Sequence, residues 1–247
     1  MAHPAQQAFF RVAIKVYPKH FTGRVLDIGS LNVTGDITHQ FRASEYVGVD
    51  IGPGNNVTHV ARGEDLDWKS NYFDVVISGE CFEHNPAWKG TFSNMVRMTR
   101  PGGLVLMTCA STFRTEHGTT RSDFGTGAPL CVGQGIEYYR NLSPRDLRGV
   151  IDESSFEDFK IFQNWAESDL YFVGVKSGGR ESISDFKALS QEAEKLVKDF
   201  NNPMRIVRIQ MASLEWAAKI KIVRRLTQLL GKERYGKFRK FVRLIGM

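Results

Sequence analysis

The sequence predicts an α/β protein with a doubly wound, mostly parallel sheet, and three segments carry this prediction. Residues 25–30 (VLDIGS) and 46–50 (YVGVD) contain short apolar runs that end at an acid, and residues 73–78 (FDVVIS) form a third run. Such runs are typical of strands that are buried on both faces of a parallel sheet. Polar residues that follow these strands meet at one edge, where open α/β sheets bind ligands.

The spacing of the first two segments favours a nucleoside-containing ligand. Asp50 follows Gly29 by 21 residues. This is close to the ~20 residues that separate a strand-ending glycine from an acid that accepts hydrogen bonds from ribose hydroxyls. A cofactor with a ribose is therefore the leading hypothesis.

The loop after the first strand argues against a dinucleotide. The G-x-G-x-x-G pattern needs three glycines, but Leu31 and Thr34 stand at the second and third positions after Gly29. Asp27 would also repel a pyrophosphate. An NAD-dependent reductase is thus disfavoured, and the acid suits a cofactor with a cationic end. S-adenosylmethionine, with its ammonium and sulfonium groups and no phosphate, meets that condition.

The remaining segments of the first half continue the alternation of strands and helices. Residues 79–84 (GECFEH) form a polar turn, 88–98 have helical periodicity, 100–103 (RPGG) predict a turn, and 104–109 (LVLMTC) predict a buried strand. The N-terminal residues lack the features of a secretory signal and predict an amphipathic helix under the sheet.

Taken in order, these motifs resemble the class I S-adenosylmethionine-dependent methyltransferases, in particular the type 11 group. The matching segments are LDIGS, YVGVD, GEDLDW, FDVVISGECFEH and MVRMTRPGGLVL, which lie within residues 21–110. The resemblance implies a Rossmann-like, seven-stranded, mostly parallel sheet with helices on both faces. With the resemblance, we expect a methyltransferase domain over residues 1–179. The charge and apolar spacing of residues 180–247 predict a basic amphipathic helical extension there.

The same resemblance assigns the cofactor site. The cofactor-binding residues that it implies are Asp27, Gly29, Ser30, Asp50, Ile51, Gly63, Glu64 and Glu80. Two departures from the family pattern stand out: Leu31 and Val33 occupy positions where glycine is usual, and Arg62 stands where an acid is common. The loop is therefore bulkier than in most members of the family.

A long segment without periodicity, about residues 110–141, predicts a loop that covers the acceptor. Transfer to oxygen or nitrogen requires removal of a proton. The candidate catalytic residues are His84 in the polar turn, and Glu116 and His117 in the loop. A structural role for either histidine stays open. If Arg114, Arg121 and Arg140 converge, they would suit an acceptor that bears carboxylate or phosphate.

The second half predicts further regular elements. Ser143 caps a short helix with proline at its first turn. Residues 156–164 and 170–176 predict the last two strands, one of them antiparallel by the resemblance. Residues 184–200 and 204–230 predict helices.

Positive charge is concentrated at the C-terminus. The net charge is −3 over residues 1–179 and +9 over 180–247, and ten of the last 32 residues are Lys or Arg. Apolar residues there keep helical spacing. Such helices either bind an anionic membrane surface or pack on the protein with a solvated basic face. Nucleic acid is the least favoured partner, and the oligomeric state is not predicted.

The cysteine content bears on the cellular compartment and on metal binding. Three cysteines, Cys81, Cys109 and Cys131, fit a reducing cytoplasm and argue against a disulfide framework or a zinc site, so no residue is assigned to a metal. We expect a cytoplasmic enzyme that can also associate with the periphery of a membrane. Its expected reaction is methyl transfer to an oxygen of a small-molecule, glycan or lipid-linked acceptor. The alternative is a catalytically inactive, membrane-associated scaffold.

Overall fold

The computed structural model describes residues 4–33, 35–122, 126–179 and 183–201, and the single positions 203, 207 and 211. The helices in these ranges are α1 (Pro4–Val16), α2 (Trp88–Met98), α3 (Pro129–Gly133), α4 (Pro144–Arg148) and α5 (Ile183–Phe200). The strands are β1 (Arg24–Ile28), β2 (Glu45–Asp50), β3 (His59–Val60), β4 (Phe73–Gly79), β5 (Thr99–Ala110), β6 (Phe156–Asn164) and β7 (Asp169–Lys176).

These strands form one seven-stranded sheet in the order β3-β2-β1-β4-β5-β7-β6. The pairs from β3 to β5 are parallel, and β7 is antiparallel to both of its neighbours. The predicted Rossmann-like fold, with one antiparallel strand among the last two, is confirmed. The chain order reverses between β1 and β4, which creates the crevice where ligands bind in such sheets.

Apolar side chains fill a core on each face of the sheet. On one face, α2 buries Trp88, Phe92 and Met95 against the strands. On the other face, α1 buries Phe9 and Phe10 in a core that it shares with α5. Helices therefore cover both faces, as predicted, and the functional edge is left to the loops after the strands.

Two local predictions differ from the structure. Residues 100–103, predicted as a turn, lie inside the 12-residue strand β5, because the chain bulges there and resumes pairing at Leu104. Gly102 has φ +73°, which a glycine adopts without strain. Strand β3 was not predicted, because two residues are too few to show the alternation of apolar and polar side chains.

The capped helix after Ser143 is confirmed. The Ser143 side chain accepts from the backbone N–H of Asp146, and Asp146 accepts in return from the backbone N–H of Ser143, which is a complete capping box. The basic helices predicted within residues 204–230 and beyond lie outside the described residues. In the part of the chain that the structure describes, no helix has both the length and the apolar character needed to cross a membrane.

Candidate active site

An open cavity of about 750 Å³, counted to its mouth, lies at the carboxyl ends of β1, β2 and β4. Seven of the predicted site residues line it: Gly29, Asp50, Ile51, Gly63, Glu64, Glu80 and His84. The parallel register explains this convergence, since residues that follow neighbouring parallel strands emerge at the same edge.

The carboxylate of Asp50 is oriented by the backbone around it. One oxygen accepts from the N–H of Leu31 at 3.0 Å, and the other accepts from the N–H of Ile51 at 2.8 Å. Each oxygen keeps a second lone pair. Burial raises the pKa of this carboxyl, while the two N–H groups oppose the shift. A fixed acid on the cavity wall is suited to accept hydrogen bonds from two vicinal hydroxyls.

The loop after β1 accommodates its bulky residues without closing the cavity. Gly29 has φ +79°, and a Cβ there would lie 2.5 Å from Cβ of Cys81, so this position requires glycine. The side chain of Leu31 fills the space beside Gly54, where a Cβ would overlap it. Gly54, in the segment that faces the loop, therefore leaves the space that the Leu31 side chain occupies.

Asp27 lies beside a second, smaller cavity of about 350 Å³, which it lines together with Gly29 and Ser30. Its side chain is buried, and the Tyr46 hydroxyl donates to it at 3.0 Å. Burial raises the pKa of Asp27 to about 7, although the Tyr46 hydrogen bond opposes the shift. Gly29 and Leu31 line both cavities, so the acid stands next to the main site rather than on its wall.

The Gly63–Glu64 segment is held by side chains of α2 and the turn before it. The amide of Asn94 donates to both backbone carbonyls, at 3.0 and 2.8 Å. The Glu64 carboxylate accepts from Asn85 and Thr91. One of its two carboxylate oxygens, Oε2, is therefore committed to protein groups.

The two candidate histidines lie side by side, with a glutamate behind them. The rings of His84 and His117 meet edge to face at 5.0 Å, and Nε2 of His117 lies 3.8 Å from the carboxylate of Glu83. Nδ1 of His117 lies 3.0 Å from the carbonyl oxygen of Thr115. Burial, with a smaller contribution from His84, lowers the pKa of His117 to about 4, so its ring is neutral at pH 7. The Tyr139 ring packs against both histidines.

The third candidate, Glu116, is turned toward other loop residues. Its carboxylate accepts from Nε of Arg121 at 2.7 Å, and Arg121 also lies 3.8 Å from Glu137. Arg140 pairs with Asp146 at the start of α4. The loop arginines thus pair with separate carboxylates and do not converge on one anion site, so the condition for recognition of an acidic acceptor is not met.

Arg114 enters the buried cluster behind the cavity. Its guanidinium lies 3.5 Å from Asp169 and 3.9 Å from Glu80, both almost fully buried. Burial alone would lower the pKa of Arg114, but the two carboxylates raise it above its ordinary value. Burial raises the pKa of Asp169 to about 7, against the effect of Arg114. Arg114 therefore neutralises buried acids instead of facing the cavity.

Sequence reasoning missed several residues of this region. Glu83 is completely buried beside His117, and its position next to His84 in the FEH turn was the available signal. The loop segment around α3 also lines the cavity, through Leu130, Cys131 and Ile136. No periodic pattern marks that segment, because α3 has only five residues.

These residues fit a nucleoside cofactor of the S-adenosylmethionine type. The cavity walls near Asp50 are apolar, with Ile28, Val49 and Ile51 among them, and they suit a flat base. No side-chain cation other than Arg62 lines the main cavity in the described residues, so there is little to hold a pyrophosphate. The fold and this site define a Rossmann-like enzyme that uses a nucleoside cofactor without phosphates.

Comparison with known proteins finds a methyltransferase domain in the first half of the chain. Residues 26–107 match the family model described as "Methyltransferase domain". The chain carries a methyltransferase domain and is an S-adenosylmethionine-dependent methyltransferase, with S-adenosylmethionine as its cofactor. No curated protein matches the sequence significantly.

Solved structures of methyltransferases are similar to this chain at low identity. One is 1,6-didemethyltoxoflavin-N1-methyltransferase of Burkholderia thailandensis, at 15% identity and a TM-score of 0.46, covering 69% of this chain and 78% of that one. Another is phosphoethanolamine N-methyltransferase 2 of Haemonchus contortus, at 16% identity and a TM-score of 0.48. That match covers 87% of this chain and 49% of the nematode protein.

Proposed function

We propose that this enzyme transfers the methyl group of S-adenosylmethionine to an oxygen of a small-molecule, glycan or lipid-linked acceptor. The observation that carries the proposal is the imidazole of His84, which lines the cavity and is backed by His117. The sulfonium already activates the methyl group. The protein has to align the acceptor, exclude water and receive the acceptor's proton.

In this proposal the residues divide the work between two sides of the cavity. Asp50 accepts from the ribose hydroxyls, the Gly63–Glu64 backbone and Ile51 contact the base, and Gly29 permits close approach. Asp27, Ser30 and Glu80 lie toward the cationic methionine end. Ionised Asp27 would attract the ammonium group electrostatically.

On the acceptor side, we propose that His84 contacts the acceptor hydroxyl and that the loop 110–141 covers it. The neutral ring of His117 supports His84 from behind. Glu116 is bound to Arg121 and orders the loop, so it is not our candidate for the base. In the net reaction the S–CH3 bond breaks, an O–CH3 bond forms, and the hydroxyl proton leaves to the protein or solvent.

The test uses purified protein, isotopically labelled S-adenosylmethionine and a panel of hydroxylated acceptors and extracts. We expect label in O-methyl products, identified by mass spectrometry and NMR, and at least a tenfold lower rate in His84→Ala. The matched control is His59→Ala, because His59 is exposed on β3 beside Trp68, away from the cavity lining. Label found only on carbon or nitrogen would refute the oxygen assignment.

One alternative is favoured by a separate observation, the ten basic residues among the last 32. In that alternative the basic tail attaches the protein to an anionic membrane as a scaffold. Deleting residues 216–247 should then abolish sedimentation with anionic liposomes, while neutral liposomes give no sedimentation with either form. A truncated protein that becomes insoluble would instead indicate that the tail packs on the folded protein.

A further inference from the structure

Three side chains behind the cavity wall have the composition of a metal site. Glu83 and His84 come from the turn after β4, and His117 comes from the loop after β5. One ligand atom of each lies within 4.8 Å of the others. This cluster contains two imidazole nitrogens and one carboxylate oxygen, a donor set typical of Zn²⁺, Mn²⁺ and Fe²⁺.

The carboxylate of Glu83 lacks the partners that a buried acid normally has. Its side chain is fully buried, and neither oxygen accepts a hydrogen bond from another of the described residues. The closest ionisable group in an ion-pair contact is Nε2 of His117, at 3.8 Å. A buried polar group without a partner costs free energy. A cation bound to these oxygens would remove that cost.

The environment of His117 directs one ring nitrogen toward Glu83. Donation from Nδ1–H to the carbonyl oxygen of Thr115 leaves the lone pair of Nε2 on the side of the carboxylate. A hydrogen bond from the second nitrogen to a backbone carbonyl is the usual support for a metal-bound histidine. The hydroxyl of Tyr139 donates to the same carbonyl at 3.1 Å, and its ring packs on His117.

The surrounding charges also favour a cation. Three carboxylates, Glu80, Glu83 and Asp169, are buried in this region. Arg114 lies within 4 Å of two of them. A divalent ion beside Glu83 would balance the surplus of negative charge that remains when all three are ionised.

We propose that Glu83, His84 and His117 bind a divalent transition-metal ion beside the cofactor cavity. Ligands at about 2.1 Å from one ion lie roughly 3–4 Å apart, so the cluster contracts by about 1 Å on binding. The sequence argued against a zinc site because its three cysteines do not form a ligand set. The cluster proposed here contains no cysteine.

The ion would have open coordination positions, because the described residues supply three ligands. His84 lines the cavity, so these positions lie next to it. If the proposed oxygen transfer holds, the ion in the metal-bound enzyme would contact the acceptor hydroxyl in place of the His84 ring and would lower the pKa of that hydroxyl. The favoured acceptors are then those with two neighbouring oxygen donors, such as vicinal hydroxyls or a hydroxyl beside a carboxylate.

Calorimetric titration of untagged, EDTA-treated full-length protein with ZnCl2, and separately with MnCl2, tests the site directly. We expect one ion bound per chain at micromolar affinity in the wild type and in the control His59→Ala. Affinity should fall at least tenfold in Glu83→Gln and in His117→Ala. Equal affinity of the wild type and both variants, or no binding by the wild type, would overturn the proposal.

Two further measurements detect a misfolded variant and distinguish failure of the metal site from failure of the proposed oxygen transfer. Circular dichroism establishes that Glu83→Gln is folded, and the visible absorption bands of bound Co²⁺ report imidazole ligation, which His117→Ala should change. Oxygen methylation that persists in EDTA, together with no metal binding, would refute the metal site and leave the reaction standing. Metal binding without any O-methyl product would refute the reaction and leave the site standing.

Discussion

The proposed cofactor side and the proposed acceptor side of the cavity are built in different ways. On the cofactor side, backbone groups of neighbouring strands and loops orient Asp50, through Leu31 and Ile51. On the acceptor side, contacts between residues far apart in the chain, such as His117 with Glu83, define the geometry. Short local motifs therefore encode the proposed cofactor side, whereas the packing of loops creates the proposed acceptor side.

The largest effect should be the pH dependence that Asp27 gives to the cofactor side. Folding raises its pKa from 3.8 to about 7, so the folded protein holds this proton more tightly than the unfolded chain. Its contribution therefore lowers stability as pH rises from about 4 to 7, by up to ~1.4 kcal/mol per unit and roughly 4 kcal/mol in all. Urea unfolding at several pH values should show this decline, and Asp27→Asn should remove it. Identical pH profiles in the two proteins would refute the assignment.

A slightly smaller effect is expected from Gly29→Ala, which tests whether backbone geometry builds the cofactor side. The new Cβ would meet Cys81 at a positive φ, at a cost of ~2–4 kcal/mol in unfolding free energy. Thermal unfolding and cofactor titration should both report the loss. Gly133→Ala is the matched control, because nothing lies within 4 Å of a Cβ there. Equal behaviour of the two variants would contradict the model of a backbone-built loop.

Asp50→Ala should weaken S-adenosylmethionine binding at least tenfold, which is ~1.4 kcal/mol. The reason is the loss of an acid whose two oxygens are already oriented toward the cavity by backbone N–H groups. Calorimetry with the cofactor and its demethylated product measures this. The control is Asp67→Ala, an exposed acid that does not line the cavity. Unchanged affinity in Asp50→Ala would remove Asp50 from the cofactor site.

The smallest effect should come from Glu116→Gln, which probes the loop alone. The ion pair with Arg121 is partly exposed, so its loss should cost about 1 kcal/mol or less. Because Glu116 lies away from the cofactor wall, we expect unchanged cofactor affinity and a higher KM for the acceptor. A change in cofactor affinity of tenfold would show that the two sides are coupled, and the comparison would fail.

Local sequence determined most of the scaffold of this protein. Apolar runs predicted six of the strands, helical periodicity placed α2 at Trp88–Met98, and Ser143 marked the start of α4. These elements follow from side-chain periodicity and capping, which act over a few residues. The spacing from Gly29 to Asp50 predicted that the two residues lie at one edge, and both line the main cavity there, since neighbouring parallel strands end together.

Tertiary structure alone decided the acceptor side. The ion pair of Arg114 with Asp169, and the burial of Glu83 against His117, depend on contacts between residues more than 30 positions apart. No local period encodes such contacts, because they arise when a loop packs on the finished sheet. Glu116 and His117 are neighbours in sequence, yet one pairs with Arg121 and the other enters the buried cluster. Short-range patterns therefore specify the fold and the cofactor site, and long-range packing specifies the chemistry available to the acceptor.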